Sequence, residues 1–218
     1  MYELHQVTRV YRQGPSHIAA VDRIDLCIHQ GEYVAVMGPS GSGKSTLLSL
    51  LGGLDRPSSG QLYFQGLDLA RPDDRALTRL RRDAFGFVFQ QFNLIPTLTA
   101  IENVEATGAG QKTARQLLDE VGLSRRVRHL PSQLSGGEQQ RVAVARALAR
   151  NPKVILADEP TGNLDSRTAA EILELIALFS RRRGMTVIVV SHDAEATRYA
   201  TRTIRMRDGR LLDEALVA

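Results

Sequence analysis

The chain has 218 residues, 43% of them hydrophobic and 24% charged, proportions of a globular protein with a sizeable core. No run of about 18 apolar residues occurs, which excludes a membrane-spanning helix. The net charge of +4 rests on 28 basic residues of which three are Lys, so it reads as an Arg bias of the whole chain. Arg79, Arg81 and Arg82, and Arg181, Arg182 and Arg183, read as solvated helix faces, and nucleic acid is not an expected partner.

The start, Met1-Tyr2-Glu3-Leu4-His5, has neither the charged nor the apolar region of a signal peptide. Residues 7–11 alternate as a strand closed by Gly14-Pro15, and residues 20–28 alternate again before a turn at Gln30-Gly31-Glu32. Cys27 is the only cysteine, so no internal disulfide forms and a reducing, cytoplasmic setting is expected. These two strands predict a small antiparallel β-subdomain at one edge, which residues 61–66 rejoin. The apolar run 33–37 predicts a buried strand, and Leu47-Leu48-Ser49-Leu50-Leu51 a helix that stops near Gly52-Gly53.

Between that strand and helix stands Gly38-Pro39-Ser40-Gly41-Ser42-Gly43-Lys44-Ser45-Thr46, a P-loop. The glycines let backbone N–H groups converge on phosphate oxygens, and the helix N-terminus adds free donors and partial positive charge. Lys44 can reach the β- and γ-phosphates, and the Ser45 hydroxyl is placed to ligate Mg²⁺. A nucleoside triphosphate is the expected ligand.

Further on, residues 73–82 read as a charged helix and residues 85–90 as a core strand ending in Gln90. No strand signal occurs from 99 to 131, and short helices such as 113–121 predict a helical subdomain at about 92–150, inserted in one domain spanning 1–218. Residues 138–150 form a helix with Val142, Ala145 and Ala149 on one face. Residues 154–159 are a strand running into Asp158 and Glu159, and residues 169–179 a helix with Ile172, Leu175, Ile176 and Phe179 inward. Residues 186–192 are an apolar strand ending in His192, and Asp208-Gly209 is a hairpin turn. Strands apolar on both faces, alternating with helices, predict an α/β fold with a parallel core, the P-loop NTPase (RecA-like) architecture. Ligands of such sheets sit outside the carboxyl ends of the strands, where Gly38, Gln90, Asp158, Glu159 and His192 all fall.

The chemistry follows from that edge. Asp158 suits a carboxylate holding Mg²⁺ through its water shell, and Glu159 a general base for in-line attack of water on the γ-phosphate. Without a P-loop the same pair reads as a helix cap. His192 is placed to donate to the γ-phosphate, whereas His5, His17, His29 and His129 read as packed or surface residues. Gln90 can touch Mg²⁺ or the attacking water, with Gln91 as its neighbouring competitor. Tyr11, at a strand end, offers a ring for adenine to stack on, though a Tyr there is by itself more often core or interface. Leu134-Ser135-Gly136-Gly137-Glu138 is a second turn-then-helix start able to cap an anion, which beside a single P-loop suggests a site shared by two copies paired head-to-tail, though three small residues alone read as a Gly-containing helix cap.

These motifs resemble the ATP-binding subunits of ABC transporters over nearly the whole chain. The stretch 38–46 is similar to the Walker A motif, Leu134 to Arg141 to the signature motif, residues 154–160 to Walker B, and Gly162-Asn163-Leu164-Asp165 to the D-loop. Gln90 matches the Q-loop, His192 the switch histidine and Tyr11 the aromatic of the A-loop. The resemblance implies ATP and Mg²⁺ as cofactors and a homodimer that sandwiches two ATPs. In it, residues 38–46, Tyr11, Ser135, Gly136, Gly137, Glu138 and Asp165 bind nucleotide. Ser45, Gln90 and Asp158 serve the metal, and Glu159, His192 and Gln90 serve catalysis. It also implies a separately encoded membrane permease docked near the Q-loop, with the chain peripheral on the cytoplasmic face. The likeness is strongest to lipoprotein-releasing, macrolide- and peptide-exporting and cell-division ATPases, the last of which regulate a membrane partner without moving a solute. The regulatory tail domain of some sugar importers is not expected after the Asp208-Gly209 hairpin. One departure stands out: a short piece, Glu105-Ala106-Thr107-Gly108-Ala109-Gly110, replaces a longer helical stretch on the side that faces the membrane partner.

Overall fold

The computed structural model describes residues 1–14, 16–71 and 73–216. Its N-terminal pair is longer than the alternation predicts: β1 is Tyr2–Gln13 and β2 is Ser16–Ile28, paired antiparallel. The reason is a bulge. Gln6 and Arg23 both take φ of 50°, and the register shifts between Leu4 and Val7. Buried positions therefore fall at Tyr2 and Leu4 before the bulge and at Val7 after it, which breaks the two-residue period. Four further elements follow in turn, β3 (Tyr33–Met37), α1 (Lys44–Leu51), β4 (Ser59–Phe64) and the two-residue β5 (Leu67–Asp68). The antiparallel sheet has the order β2-β1-β4-β5, so the return of residues 61–66 to it is as expected.

The second sheet gathers β3, β6 (Phe85–Phe89), β7 (Val154–Asp158), β8 (Thr186–Ser191), β9 (Arg202–Arg207) and β10 (Arg210–Leu216). Its order is β10-β9-β3-β8-β7-β6, parallel throughout except for the β9–β10 hairpin. The helices are α2 (Asp74–Ala84), α3 (Ala100–Glu105), α4 (Gln111–Glu120), α5 (Gly136–Leu148) and α6 (Ser166–Arg183). Between β6 and β7 the described residues form only helices and turns.

Strands β3, β6, β7 and β8 each feed two cores. Val34 and Val36 of β3 pack with Leu47 and Leu51 of α1 on the side of the antiparallel sheet, whereas Ala35 packs with Val142 of α5 and Ile172 of α6. A strand buried on both faces has no polar side to show, which is why the run 33–37 reads as uniformly apolar. The two sheets are joined by an aromatic cluster in which Phe64 stands 4.9 Å from both Tyr2 and Phe85. Tyr2 also donates its hydroxyl to Leu51 O at 3.1 Å, tying β1 to the end of α1. Strand β6 lies very close to α5: a Cβ on Gly86 would stand 2.4 Å from Ala147 O.

Asn103, fully buried in α3, organises the loop before that helix. Its amide donates to the carbonyls of Ile95, Leu98 and Thr99 and accepts from the Ile95 N–H, so all of its polar capacity serves the backbone.

Candidate nucleotide site

The P-loop leaves β3 at Met37 and opens α1 at Lys44. Two of its glycines are sterically obligatory. A Cβ on Gly38 would meet Met206 O at 2.2 Å, and one on Gly43, at φ 97°, would meet Ala20 O at 1.9 Å. The loop is thus wedged between β2 and the β9–β10 hairpin. Gly209 N–H donates to Ser42 O at 3.1 Å, and Asp22 N–H donates to Gly209 O at 2.8 Å, so the hairpin turn braces the loop. Lys44 is buried, and its ammonium donates to Gly38 O at 2.8 Å and Pro39 O at 2.9 Å.

Ser45 Oγ donates to Asp158 Oδ1 at 2.9 Å, bringing together the helix start and the end of β7. Burial pushes the Asp158 carboxyl above its ordinary range and the Glu159 charge adds to that, while the Ser45 hydrogen bond and Lys44 pull the other way. A hydroxyl and a carboxylate at this separation form a small, hard-oxygen donor set. That set fits Mg²⁺, which takes few protein ligands and keeps several waters.

Glu159 follows at φ 45°, its N–H bonded to Val190 O at 2.9 Å. This left-handed turn sends the carboxylate towards the end of β8, where Glu159 Oε2 lies 3.1 Å from His192 Nδ1. Two expected catalytic residues from different strand ends thereby meet.

Gln90, which follows β6 where Phe89 pairs with Asp158, is held by Asn163. Its Nε2 donates to Asn163 Oδ1 at 3.2 Å, and Asn163 Nδ2 donates to Gln90 O at 3.0 Å. The bare Gly162 backbone permits this, since a Cβ there would stand 2.7 Å from Gln90 Nε2. Asp165 caps α6 of its own chain, accepting from Thr168 N at 3.0 Å and Thr168 Oγ1 at 2.7 Å; the hydroxyl bond first, then the backbone bond, hold its carboxyl below the ordinary range.

Ser135 and Glu138 form a reciprocal capping box at the start of α5: Glu138 N–H donates to Ser135 Oγ at 3.2 Å, and Ser135 N–H to Glu138 Oε2 at 2.9 Å. The side chains nearest Gly136 and Gly137 are Leu164, Phe92 and Thr168 of the same chain, none of them from the P-loop. Tyr11 lies on β1 with its hydroxyl bonded to Asp55 Oδ2 at 2.6 Å.

Sequence reasoning gave no individual role to three residues that hold these pieces in place: Asn163 and Gln140, which lie inside the matched motifs, and Asp55, which lies outside them. Gln140 is fully buried, and its Nε2 donates to Pro160 O at 2.5 Å and Phe89 O at 3.4 Å. It thereby links α5 to the backbone beside both Glu159 and Gln90. A signal existed. Gln140, Ala143, Val144 and Ala147 are all buried at helical spacing, so a glutamine stands on the apolar stripe.

Comparison with known proteins places this geometry. The ABC transporter family pattern matches residues 21–162. An uncharacterised ABC transporter ATP-binding protein of Methanocaldococcus jannaschii, MJ0796, is 47% identical over 96% of this chain and 94% of its own. The lipoprotein-releasing system ATP-binding protein LolD of Geobacter metallireducens is 46% identical over 97% and 98%. The macrolide export ATP-binding/permease protein MacB of Marinobacter nauticus is 48% identical over 98% of this chain, which spans only 34% of that longer protein. A dimeric post-hydrolysis structure of MJ0796 bound to ADP and Pi superposes with a TM-score of 0.93 at 46% identity, covering 100% of this chain and 99% of the other. With its P-loop NTPase fold and its wedged phosphate loop, the chain belongs to the ABC transporter family, as an ATP-binding subunit that hydrolyses ATP.

Proposed function

We propose that this chain works as a head-to-tail homodimer at the cytoplasmic face of a membrane, driving a separately encoded permease that extracts or exports a lipoprotein, peptide or amphipathic drug. The observation that carries the ATP cycle is the meeting of Ser45 with Asp158 and of Glu159 with His192 at one sheet edge.

In this reading the P-loop N–H groups and Lys44 bind the β- and γ-phosphates, and Ser45 and Asp158 would hold Mg²⁺, which would supply neutralisation of phosphate charge. Glu159 takes a proton from a water as its oxygen attacks the γ-phosphorus. The bond from that phosphorus to the bridging oxygen breaks, and ADP leaves with the electron pair. His192, oriented through Nδ1 by Glu159, presents Nε2 to the γ-phosphate. Ser135, Gly136 and Gly137 of a second copy complete the site. The dimeric MJ0796 structures support that reading. Gln90, bonded to Asn163 beside the end of β7, would be a further side chain for the metal or the attacking water.

The permease docks in the groove of about 390 Å³ beside β6, lined by the stacked rings of Phe87 and Phe89 and by Arg82 and Arg146. The names of LolD and MacB support an export or extraction role.

The test is Glu159→Gln. Hydrolysis falls by about 10²–10⁴-fold while ATP still binds, and ATP produces a stable dimer in size-exclusion chromatography. Unchanged turnover removes Glu159 from its role. Affinity isolation of the same variant from native membranes recovers the permease; recovery of no integral membrane protein counts against the transport reading.

A further inference from the structure

Tyr11 is held more firmly than an exposed strand-end aromatic requires. Beyond its hydroxyl bond to Asp55, its ring lies under a guanidinium, with Arg9 Cζ 4.6 Å from the ring centroid. Arg9 is itself fixed by the same carboxylate, Nε donating to Asp55 Oδ2 at 2.8 Å and Nη2 standing 2.8 Å from Oδ1. The Arg56 N–H adds a further bond to Oδ1 at 2.8 Å. Asp55 lies just beyond α1, and its own N–H bonds back to Ser49 O of that helix. One carboxylate therefore ties the aromatic of β1 to the helix that the P-loop opens.

We infer that Arg9 and Asp55 are positioning residues that clamp the Tyr11 ring with one face covered, so that its other face is preset to stack on the nucleotide base. This rests on the reading of Tyr11 as the base-stacking residue. Two physical effects follow. The ring loses its rotamer freedom on folding rather than on binding, so stacking pays less ordering entropy. A cation on one face also draws negative potential from the other, which lowers its repulsion with the π-cloud of a purine. Stacking tolerates any base, so the clamp strengthens nucleotide binding without selecting adenine.

The experiment compares ADP, GDP and inorganic pyrophosphate by isothermal titration calorimetry, which avoids hydrolysis and separates base from phosphate. Tyr11→Ala weakens ADP by about fivefold or more. Asp55→Ala and, separately, Arg9→Met weaken ADP and GDP alike by about threefold to tenfold and leave pyrophosphate unchanged, which also shows that the P-loop remains folded. Combined with Tyr11→Ala, neither adds a further loss. If Tyr11→Ala weakens ADP and the two clamp variants do not, the clamp is overturned and the stacking reading stands. If Tyr11→Ala itself has no effect, the stacking reading falls and the inference with it. An equal loss of ADP and pyrophosphate in the clamp variants makes Asp55 a support of α1 alone and also overturns the proposal.

Discussion

Glu138 shows how much of one carboxylate is taken up by a helix start. The Ser135 N–H holds its carboxylate below the ordinary range, against the opposing effect of burial, and Arg126, 3.1 Å away, contributes to the lowering. The folded chain therefore takes up this proton at lower pH than the unfolded chain does. The stabilisation is complete above the ordinary glutamate range and disappears as pH falls through the lowered value. Glu138→Ala accordingly lowers the melting midpoint at neutral pH, and the gap to the parent narrows on acidification, as a series of calorimetric scans across the carboxylate range would show. A gap independent of pH would mean that packing, not the carboxylate, is responsible. The same care applies to Asp165, whose D-loop carboxylate is engaged by Thr168 in capping α6.

At the scale of elements, β6 lies close against α5 at Gly86. Gly86→Ala forces a methyl against Ala147 O and the Ile155 side chain, and lowers stability by about 1–3 kcal/mol, read from the urea midpoint. A neutral result would show that α5 can move away from the sheet. What was legible in the sequence follows the same physics. The strands of the parallel sheet were plain because both faces are buried, and the P-loop because its spacing is chemically restrictive. The full length of β1 was hidden by the bulge at Gln6, which resets which residues face the core. β5 and the 3₁₀ turn at Pro131–Gln133 were hidden because two or three residues carry no period. The strand-end residues Asp158, Glu159 and His192 were found because a polar residue ending an apolar run is visible in one dimension. The Gln90–Asn163 and Tyr11–Asp55 contacts span 73 and 44 residues, and no local pattern announces them.

For the whole molecule, the head-to-tail reading has a consequence that mixing reveals. A Lys44→Ala chain and a Ser135→Arg chain are each inactive as homodimers, since both composite sites are broken. Mixed, they form a heterodimer with one intact site, and ATPase activity returns to a substantial fraction of one site's rate; no recovery on mixing would argue against shared sites. A last consequence concerns synthesis. The phosphate loop emerges from the ribosome early, yet its brace is Gly209, and the backbone that crowds Gly38 is that of Met206. About 165 further residues must be made before the wedge around Gly38 and Gly43 can close. A nascent chain thus displays its ATP motif long before it can hold ATP in the geometry described, and competence to bind arrives only once Gly209 has been added.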